Sequence, residues 1–485
     1  MHTRNGWLVV VAGLAMGASG ATGQMLYETS QDGNTVATIE PATAGQGQGI
    51  ARGSGVPYPL VPDVQIMLRR QIGGLHIADM NGDGLNDLVA VCFNSSAFPP
   101  YTDWRDMIFY NTGTALETVP SWVSTEMVHT GDVVVGDLND DGHLDIVTIH
   151  GGSVTTQSVR VYYGAAGGPT MTAGWVSATS PAAWGTAGVL ADFDNDGDLD
   201  LVTSNQGVSP DPYRPLFMFR NDGGVLTPNP VWRSEDVAVQ NGVAAGDFDG
   251  DEWLDLAAAK WSGFESAIYY TSSNAGEIET LPGWSVGTTG TDRGAATADF
   301  DGDGRVDVAF GGNPSRAYAQ TEPGVFTQVW QNTDPFSGPQ DFGVHDVNGD
   351  GWPDIAEVHF STGRMHIYLN REGVIDSDPT WTYDAPNVGN AFAFGDLNDD
   401  GWDDLVVGYS GDISIRIFYA VPPKEECAAD LNGDGKLDFF DAQAFLAAFA
   451  AQQPEGDFNG DGEFDFFDAQ AFLGAFAAGC ALSGR

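Results

Sequence analysis

A nine-residue acidic motif that returns seven times at near-constant spacing constrains this chain more than any other feature. It reads DMNGDGLND from Asp79, DLNDDGHLD from Asp137, DFDNDGDLD from Asp192, DFDGDEWLD from Asp247, DFDGDGRVD from Asp299, DVNGDGWPD from Asp346 and DLNDDGWDD from Asp396. Successive starts lie 58, 55, 55, 52, 47 and 50 residues apart. That period is too long for leucine-rich or ankyrin repeats and matches propeller blades. Small and apolar residues lead into each motif, as in GVAAGDF (242–248), and a short apolar run such as LVTS or IVTIH follows, so each motif is the turn between two strands. A third strand is read in MIFYN (107–111), VRVYYG (159–164), LFMFRN (216–221), SAIYYT (266–271), MHIYLN (365–370) and IRIFYA (415–420). The fourth carries Trp122, Trp175, Trp232, Trp284, Trp330 or Trp381, each 15 to 17 residues ahead of the next motif. Tryptophans so evenly spaced are expected to pack between blades. The pattern predicts a mainly β fold over 59–421, a seven-bladed β-propeller of four-stranded blades. The last unit runs out after its third strand at Ala420, and the stretch 59–70, around Val64, is expected to complete that blade and close the ring.

The chain has 485 residues, 67 of them acidic and 19 basic, a net charge of −48. A nucleic-acid binder, which needs basic patches against phosphate, is excluded. With 42% apolar and 11% aromatic residues, large cores are available, so the acidity does not signal a disordered chain. It has a local cause. Side-chain oxygens fall at motif positions 1, 3, 5 and 9, a spacing that wraps a loop around Ca²⁺, which takes six to eight oxygen ligands at roughly 2.3–2.6 Å. The expected ligands are Asp79, Asn81, Asp83 and Asp87 in the first loop, then Asp137, Asn139, Asp141 and Asp145, and then Asp192, Asp194, Asp196 and Asp200. The fourth and fifth loops supply Asp247, Asp249, Asp251, Asp255, and Asp299, Asp301, Asp303, Asp307. The sixth and seventh supply Asp346, Asn348, Asp350, Asp354, and Asp396, Asn398, Asp400, Asp404. Position 6 is glycine except in the fourth loop, where Glu252 is expected to weaken or distort the site.

The ends of the chain differ from this body. Arg4, the apolar run Trp7 to Met16 and the small residues Ala18, Ala21 and Gly23 have the plan of a secretory signal peptide over 1–23, cleaved near Gly23. The mature protein is expected to be secreted or held at a cell surface, bacterial, with no membrane span. A Gly-, Thr- and Gln-rich segment (24–58) carries no legible function. After a linker over 422–426, the module 427–485 repeats itself: DLNGDGKLDFFDAQAFLAAF from Asp430 and DFNGDGEFDFFDAQAFLGAF from Asp457. Each copy is a twelve-residue loop feeding a helix. Two further Ca²⁺ ions are expected on Asp430, Asn432, Asp434, Asp438, Asp441 and on Asp457, Asn459, Asp461, Asp465, Asp468. Phe445, Leu446, Phe449 and Phe472, Leu473, Phe476 fall on the apolar helix faces. Cys427 and Cys480 bracket the module and are expected to form a disulfide in an oxidising compartment, leaving Cys92 buried and reduced.

The seven motifs resemble the FG-GAP or VCBS repeat of the integrin α-subunit propeller and of many exported bacterial proteins. The resemblance implies seven blades with ions in the turns between first and second strands, and a role in adhesion, glycan binding or catalysis. The C-terminal pair resembles a type I dockerin, a small α-helical, EF-hand-like calcium module that plugs proteins into cohesin-bearing scaffolds. It departs at loop positions 10 and 11, where Phe439-Phe440 and Phe466-Phe467 replace polar residues. The alternative is a calcium-locked cap whose phenylalanines pack between its helices.

A ligand site is expected on the face opposite the acidic turns. Five residues beyond each motif lie Cys92, His150, Asn205, Lys260, Gly312, His359 and Tyr409, and the loops entering the first strands add His129, Trp184, Asn241, Arg293 and Asn390. Such a ring suits a glycan or peptide, with acidic sugars drawn to the few cations. The favoured function is recognition or adhesion by an exported calcium-binding propeller attached through its dockerin-like tail. The alternative is a polysaccharide lyase or glycoside hydrolase acting in polysaccharide catabolism, with His150, Lys260 or His359 as base and Arg293 on a uronate carboxylate. No GxSxG or HExxH motif and no distinct carboxylate pair supports catalysis.

Overall fold

The computed structural model describes residues 26–29, 36–39, 55–93, 103–151, 159–178, 183–207, 213–272, 277–287, 290–334, 338–421, 429, 431, 438–459 and 462–478. The signal-peptide stretch, Cys427, Cys480, Asp430, Asn432, Asp434 and Asp461 lie outside them. The chain divides into two compact units, Met1–Ala420 and Val421–Arg485.

In the first unit every motif joins two antiparallel strands, and its ninth residue opens the second of them, as in Arg70–Ala78 with Asp87–Phe93 and Thr130–Gly136 with Asp145–His150. The second strands are buried on both faces, which explains their continuous apolar runs in place of alternation. Sheets of four strands, each in chain order, build the second to sixth repeats; the third repeat, for example, holds Ala183–Ala191, Asp200–Gly207, Phe217–Phe219 and Trp232–Arg233. The expectation of seven separate four-stranded blades is corrected here. Five sheets stand alone, and the first and last repeats are fused into one larger sheet because Ser410 and Gly411 pair with Gln71 and Arg70. The fused sheet also holds Val64–Ile66, which pairs antiparallel with Ile415–Phe418. The first strand of each repeat packs on that of the next, and Val388–Gly395 of the last packs on Arg70–Ala78 of the first. The result is a β-propeller.

Neighbouring repeats are joined by apolar and polar ties. Trp122, Trp175, Trp232, Trp284, Trp330 and Trp381 each meet an aromatic ring of the following repeat edge-on, at centroid separations of 5.2–6.4 Å. Such pairs add roughly 0.5–1.5 kcal/mol each beyond area burial. The indoles of Trp122, Trp232 and Trp330 also donate to the carbonyls of Pro169, Ile278 and Asp376. On the turn face, Asn221 and Asn370 donate through Nδ2 to Leu138 and Phe300 of the preceding repeat, at 2.7 and 2.8 Å. Asn111 does the same to Leu397, joining the first repeat to the last.

The second unit holds two helices, Phe439–Ala450 (α1) and Phe466–Ala478 (α2). Asp438 caps α1 by accepting from the Phe440 N–H, while Asp441 accepts from the Asp438 N–H. Phe445 and Phe472 stack at 4.4 Å in a core with Phe449, Phe458 and Phe476. Leu446 and Leu473, expected on the packed faces, are exposed instead, as are Phe439, Phe440, Phe466 and Phe467. Interhelical packing therefore uses only one phenylalanine row of each copy.

Candidate functional site

The acidic turns are pre-folded by their own side chains. Asp79 accepts the N–H groups of Gly82, Asp83 and Gly84 at 2.8–3.1 Å, Asn81 accepts that of Asp83, and Asp83 accepts that of Leu85. The other loops repeat the pattern, with Asp137, Asp192, Asp247, Asp299, Asp346 and Asp396 in the place of Asp79. Two left-handed residues make the wrap possible. Position 4 has φ between +55° and +77° and is always Gly, Asn or Asp, the types that tolerate it. Position 6 is glycine except Glu252, which adopts φ +70° without glycine's freedom.

The donor set fits a hard cation. Ligand oxygens of Asp192, Asp194 and Asp200, of Asp247, Asp249 and Asp251, and of Asp299, Asp301 and Asp303 each lie within 4.8 Å of one another. Oδ1 of Asp194 and of Asp249 is buried with no hydrogen-bond partner among the described residues. Burial, then the Asp196 and Asp251 carboxylates beside them, raise the two carboxyls above their usual range. In the second unit Asp457 repeats this, with Oδ2 accepting from Gly462 and Oδ1 buried and unpaired among the described residues.

Position 9 has a further task. Asp87, Asp145, Asp200, Asp255, Asp307, Asp354 and Asp404 are fully buried. In each, one oxygen accepts the N–H of position 2 and the other an N–H at the end of the third strand, at 2.6–3.2 Å. Burial pushes Asp87 and Asp307 up to about 6 and Asp200, Asp255, Asp354 and Asp404 up to about 7.

The opposite end opens into a cavity of about 150 Å³. Its wall includes Gly73, Gly131, Thr186, Asn241, Arg293, Gln340 and Asn390, each six residues ahead of a motif's first Asp. Apart from Arg293, which precedes its strand, these residues sit in register shifts of the first strands, at Ile72/Gly74, Thr130/Asp132, Gly185/Ala187, Gln240/Gly242, Pro339/Asp341 and Gly389/Ala391. A bulge re-aims the extra residue, here toward the cavity. Gln206 donates to Asn241 and Arg293 to Gln340, while the Arg293 guanidinium lies 5.2 Å over the Trp261 ring. Phe93 and Phe360 complete the rim. Deeper in, Asp132 and Asp341 accept the N–H groups of Gly188 and Phe392, and burial raises them to about 6 and about 7.

Of the residues in the sequence-derived ring, Asn241, Arg293 and Asn390 line this cavity. His129 packs behind the rim on Phe93 and Trp104, and Trp184 lies on a first strand opposite Gln206. The second-strand ring is corrected: Cys92, His150, Asn205, Lys260, His359 and Tyr409 are buried inside the blades. Side chains alternate along a strand, so the next residues, Phe93, Gln206 and Phe360 among them, reach the cavity. His150 bonds Thr148, Lys260 pairs with Asp236 at 2.7 Å, and Tyr409 lies under Arg416. Burial pushes the Cys92 thiol up to about 12. Thr186, Gln340, Gln206, Trp261, Asp132 and Asp341 are absent from the sequence-derived ring; the constant offset from the motif is the signal that finds the first two.

The model of the FG-GAP-like repeat matches residues 72–148, 247–310, 299–356 and 346–407. Integrin alpha-IIb of Mus musculus is 26% identical over 262 residues, 47% of this chain and 24% of that protein. Integrin alpha-IIb of Homo sapiens is 26% identical over 216 residues, 37% of this chain and 21% of that protein. The chain thus spans about a quarter of the length of these relatives. Two solved structures of BBS1N in complex with ARL6DN, soaked with mercury and with lead, are similar at TM-score 0.48, with 13% and 14% identity. The alignments cover 72% and 73% of this chain and 92% and 93% of those chains. No helix among the described residues is long and apolar enough to cross a membrane.

Proposed function

Starting from a propeller that carries FG-GAP-like repeats and integrin-alpha-like homology, we propose that this protein is an exported recognition module. Its ligand, a glycan or an extracellular protein, docks in the cavity lined by Thr186, Asn241, Arg293, Gln340 and Asn390. The observation that carries this reading is the bulge ring: every first strand but one has a register shift at the cavity wall, four of the shifts present the polar side chains of Thr186, Asn241, Gln340 and Asn390 there, and Arg293 takes the remaining place. Arg293 is a cation at the mouth of a chain of net charge −48, which favours a ligand bearing a carboxylate or sulfate. Calcium in the turns, two further ions and the Cys427–Cys480 disulfide in the tail, and attachment of the tail to a cohesin-like partner through its exposed phenylalanines complete the proposal. His150, Lys260 and His359, the bases of the enzymatic alternative, are all buried, so binding is favoured over polysaccharide cleavage.

The test is binding of the mature chain to arrays of acidic and neutral glycans, with affinities of hits measured by calorimetry. Arg293→Ala and Asn241→Ala are expected to weaken binding tenfold or more while leaving thermal unfolding in calcium unchanged. Unchanged affinity in both variants would place the ligand elsewhere.

A further inference from the structure

A buried knot of polar side chains lies between the fifth and sixth repeats, and neither the turns nor the cavity uses it. Glu357 and His359 come from Asp354–His359, and His366 and Tyr368 from Arg364–Tyr368. Ser315, Asn332 and Asp334 reach it from the fifth repeat. The side chains of Glu357 and His359 are wholly buried, and those of His366 and Asp334 are 3% and 7% exposed.

The donor atoms converge. His366 Nδ1 lies 3.3 Å from Asp334 Oδ2 and 3.8 Å from Glu357 Oε1, and His359 Nε2 lies 3.2 Å from the same Glu357 oxygen. One ligand atom from each of Asp334, His359 and His366 falls within a mutual 4.8 Å. Donors bound at about 2.0–2.2 Å around a tetrahedral ion stand roughly 3.3–3.6 Å apart; the His366–Asp334 separation falls in that range, and the two to Glu357 lie just outside it on either side. Glu357 is oriented by the Ser315 and Tyr368 hydroxyls, both at 2.7 Å, and by Asn332 at 3.2 Å. Outer partners of this kind fix the ligands of metal centres. With both imidazoles neutral, as ligands to a metal, the two buried carboxylates carry a charge that a divalent cation neutralises.

We infer that Asp334, His359 and His366, with Glu357 as fourth donor, form a closed transition-metal site of zinc type that clamps the fifth repeat to the sixth. Imidazole donors separate it from the all-oxygen turns, which suit calcium. With four protein donors and no open position, its role is structural. It is independent of whatever binds in the cavity.

The mature full-length chain, stripped with chelator and returned to excess calcium, is given one equivalent of Zn²⁺, dialysed, and its metals counted by mass spectrometry. One zinc per chain is expected to survive dialysis against calcium. His359→Gln and His366→Gln are expected to lose it while keeping calcium-dependent melting, and Ser315→Ala, which removes an outer partner of Glu357, to weaken it about 10–100-fold. Zinc absent from the wild-type chain, or retained by both histidine variants, overturns the site. Should the variants not fold, the visible spectrum of the Co²⁺-loaded wild-type chain decides: intense tetrahedral bands support the site, and weak octahedral bands overturn it.

Discussion

The aspartates at positions 3 and 9 of a motif have the same side chain and different physical tasks. Asp194 holds a buried oxygen with no hydrogen-bond partner among the described residues, whereas both oxygens of Asp200 accept backbone N–H groups, from Phe193 and Asn221. Spacing alone makes the two equivalent ligands, because it counts oxygens and cannot see a donor arriving from a strand 21 residues further on. Asp200→Asn replaces an acceptor by a donor facing an N–H, so a loss of about 1–3 kcal/mol is expected in urea unfolding even with chelator present, and no smaller a loss in calcium. Asp194→Asn is expected to cost stability only in calcium. If Asp194→Asn is neutral in both conditions, no cation is held at that turn.

At the scale of elements, the bulges of the first strands both shape the cavity and let the strands converge. Gly131 shows the demand: a Cβ there would stand 2.7 Å from the Gly185 carbonyl oxygen of the next first strand. Backbone on both sides leaves little room to yield, so Gly131→Ala is expected to cost about 1–3 kcal/mol, read as a lower unfolding midpoint at unchanged slope. A cost below a few tenths would mean that the strands are not held at this distance. The strand order was legible in the sequence because the motif marks the first turn and the tryptophan marks the fourth strand of each repeat. The cavity was only half legible. A count along the second strands lands on His150 and His359, one residue short of the cavity, since the period of two turns a single-residue slip into a reversal of face. The bulges themselves have no residue signature: Gly, Thr, Asn and Gln all occupy them.

For the whole molecule, what matters is how the ends of the ring meet. Val64–Ile66 lies beside Ile415–Phe418, Asn111 reaches Leu397, and Arg70 and Gln71 pair with Gly411 and Ser410. Four-strand bookkeeping anticipates the first of these contacts but not the last, because pairing between two blades depends on how far their strands extend toward each other. Ile66 is fully buried in this junction, so Ile66→Ala is expected to cost about 2–5 kcal/mol in equilibrium unfolding. Val374→Ala, at a site 69% exposed, serves as the near-neutral control. Equal small effects would mean that the ring stays shut without this strand. The bulge ring carries a further consequence. Each repeat contributes one letter to the cavity, and read around the axis the letters spell Gly, Gly, Thr, Asn, Arg, Gln, Asn. The three glycine and threonine places are nearly blank, so one side of the mouth is open and the other inscribed. Because a bulged residue is the unpaired one in its ladder, the Thr, Asn and Gln letters can be rewritten at little cost to the strands beneath them, whereas Gly73 and Gly131 are fixed, since a Cβ there would run into the Thr130 and Gly185 backbone oxygens of the next first strand. Specificity in such a molecule is a short text set in a fixed frame, free to drift from one ligand to another while the turns on the far side stay as they are.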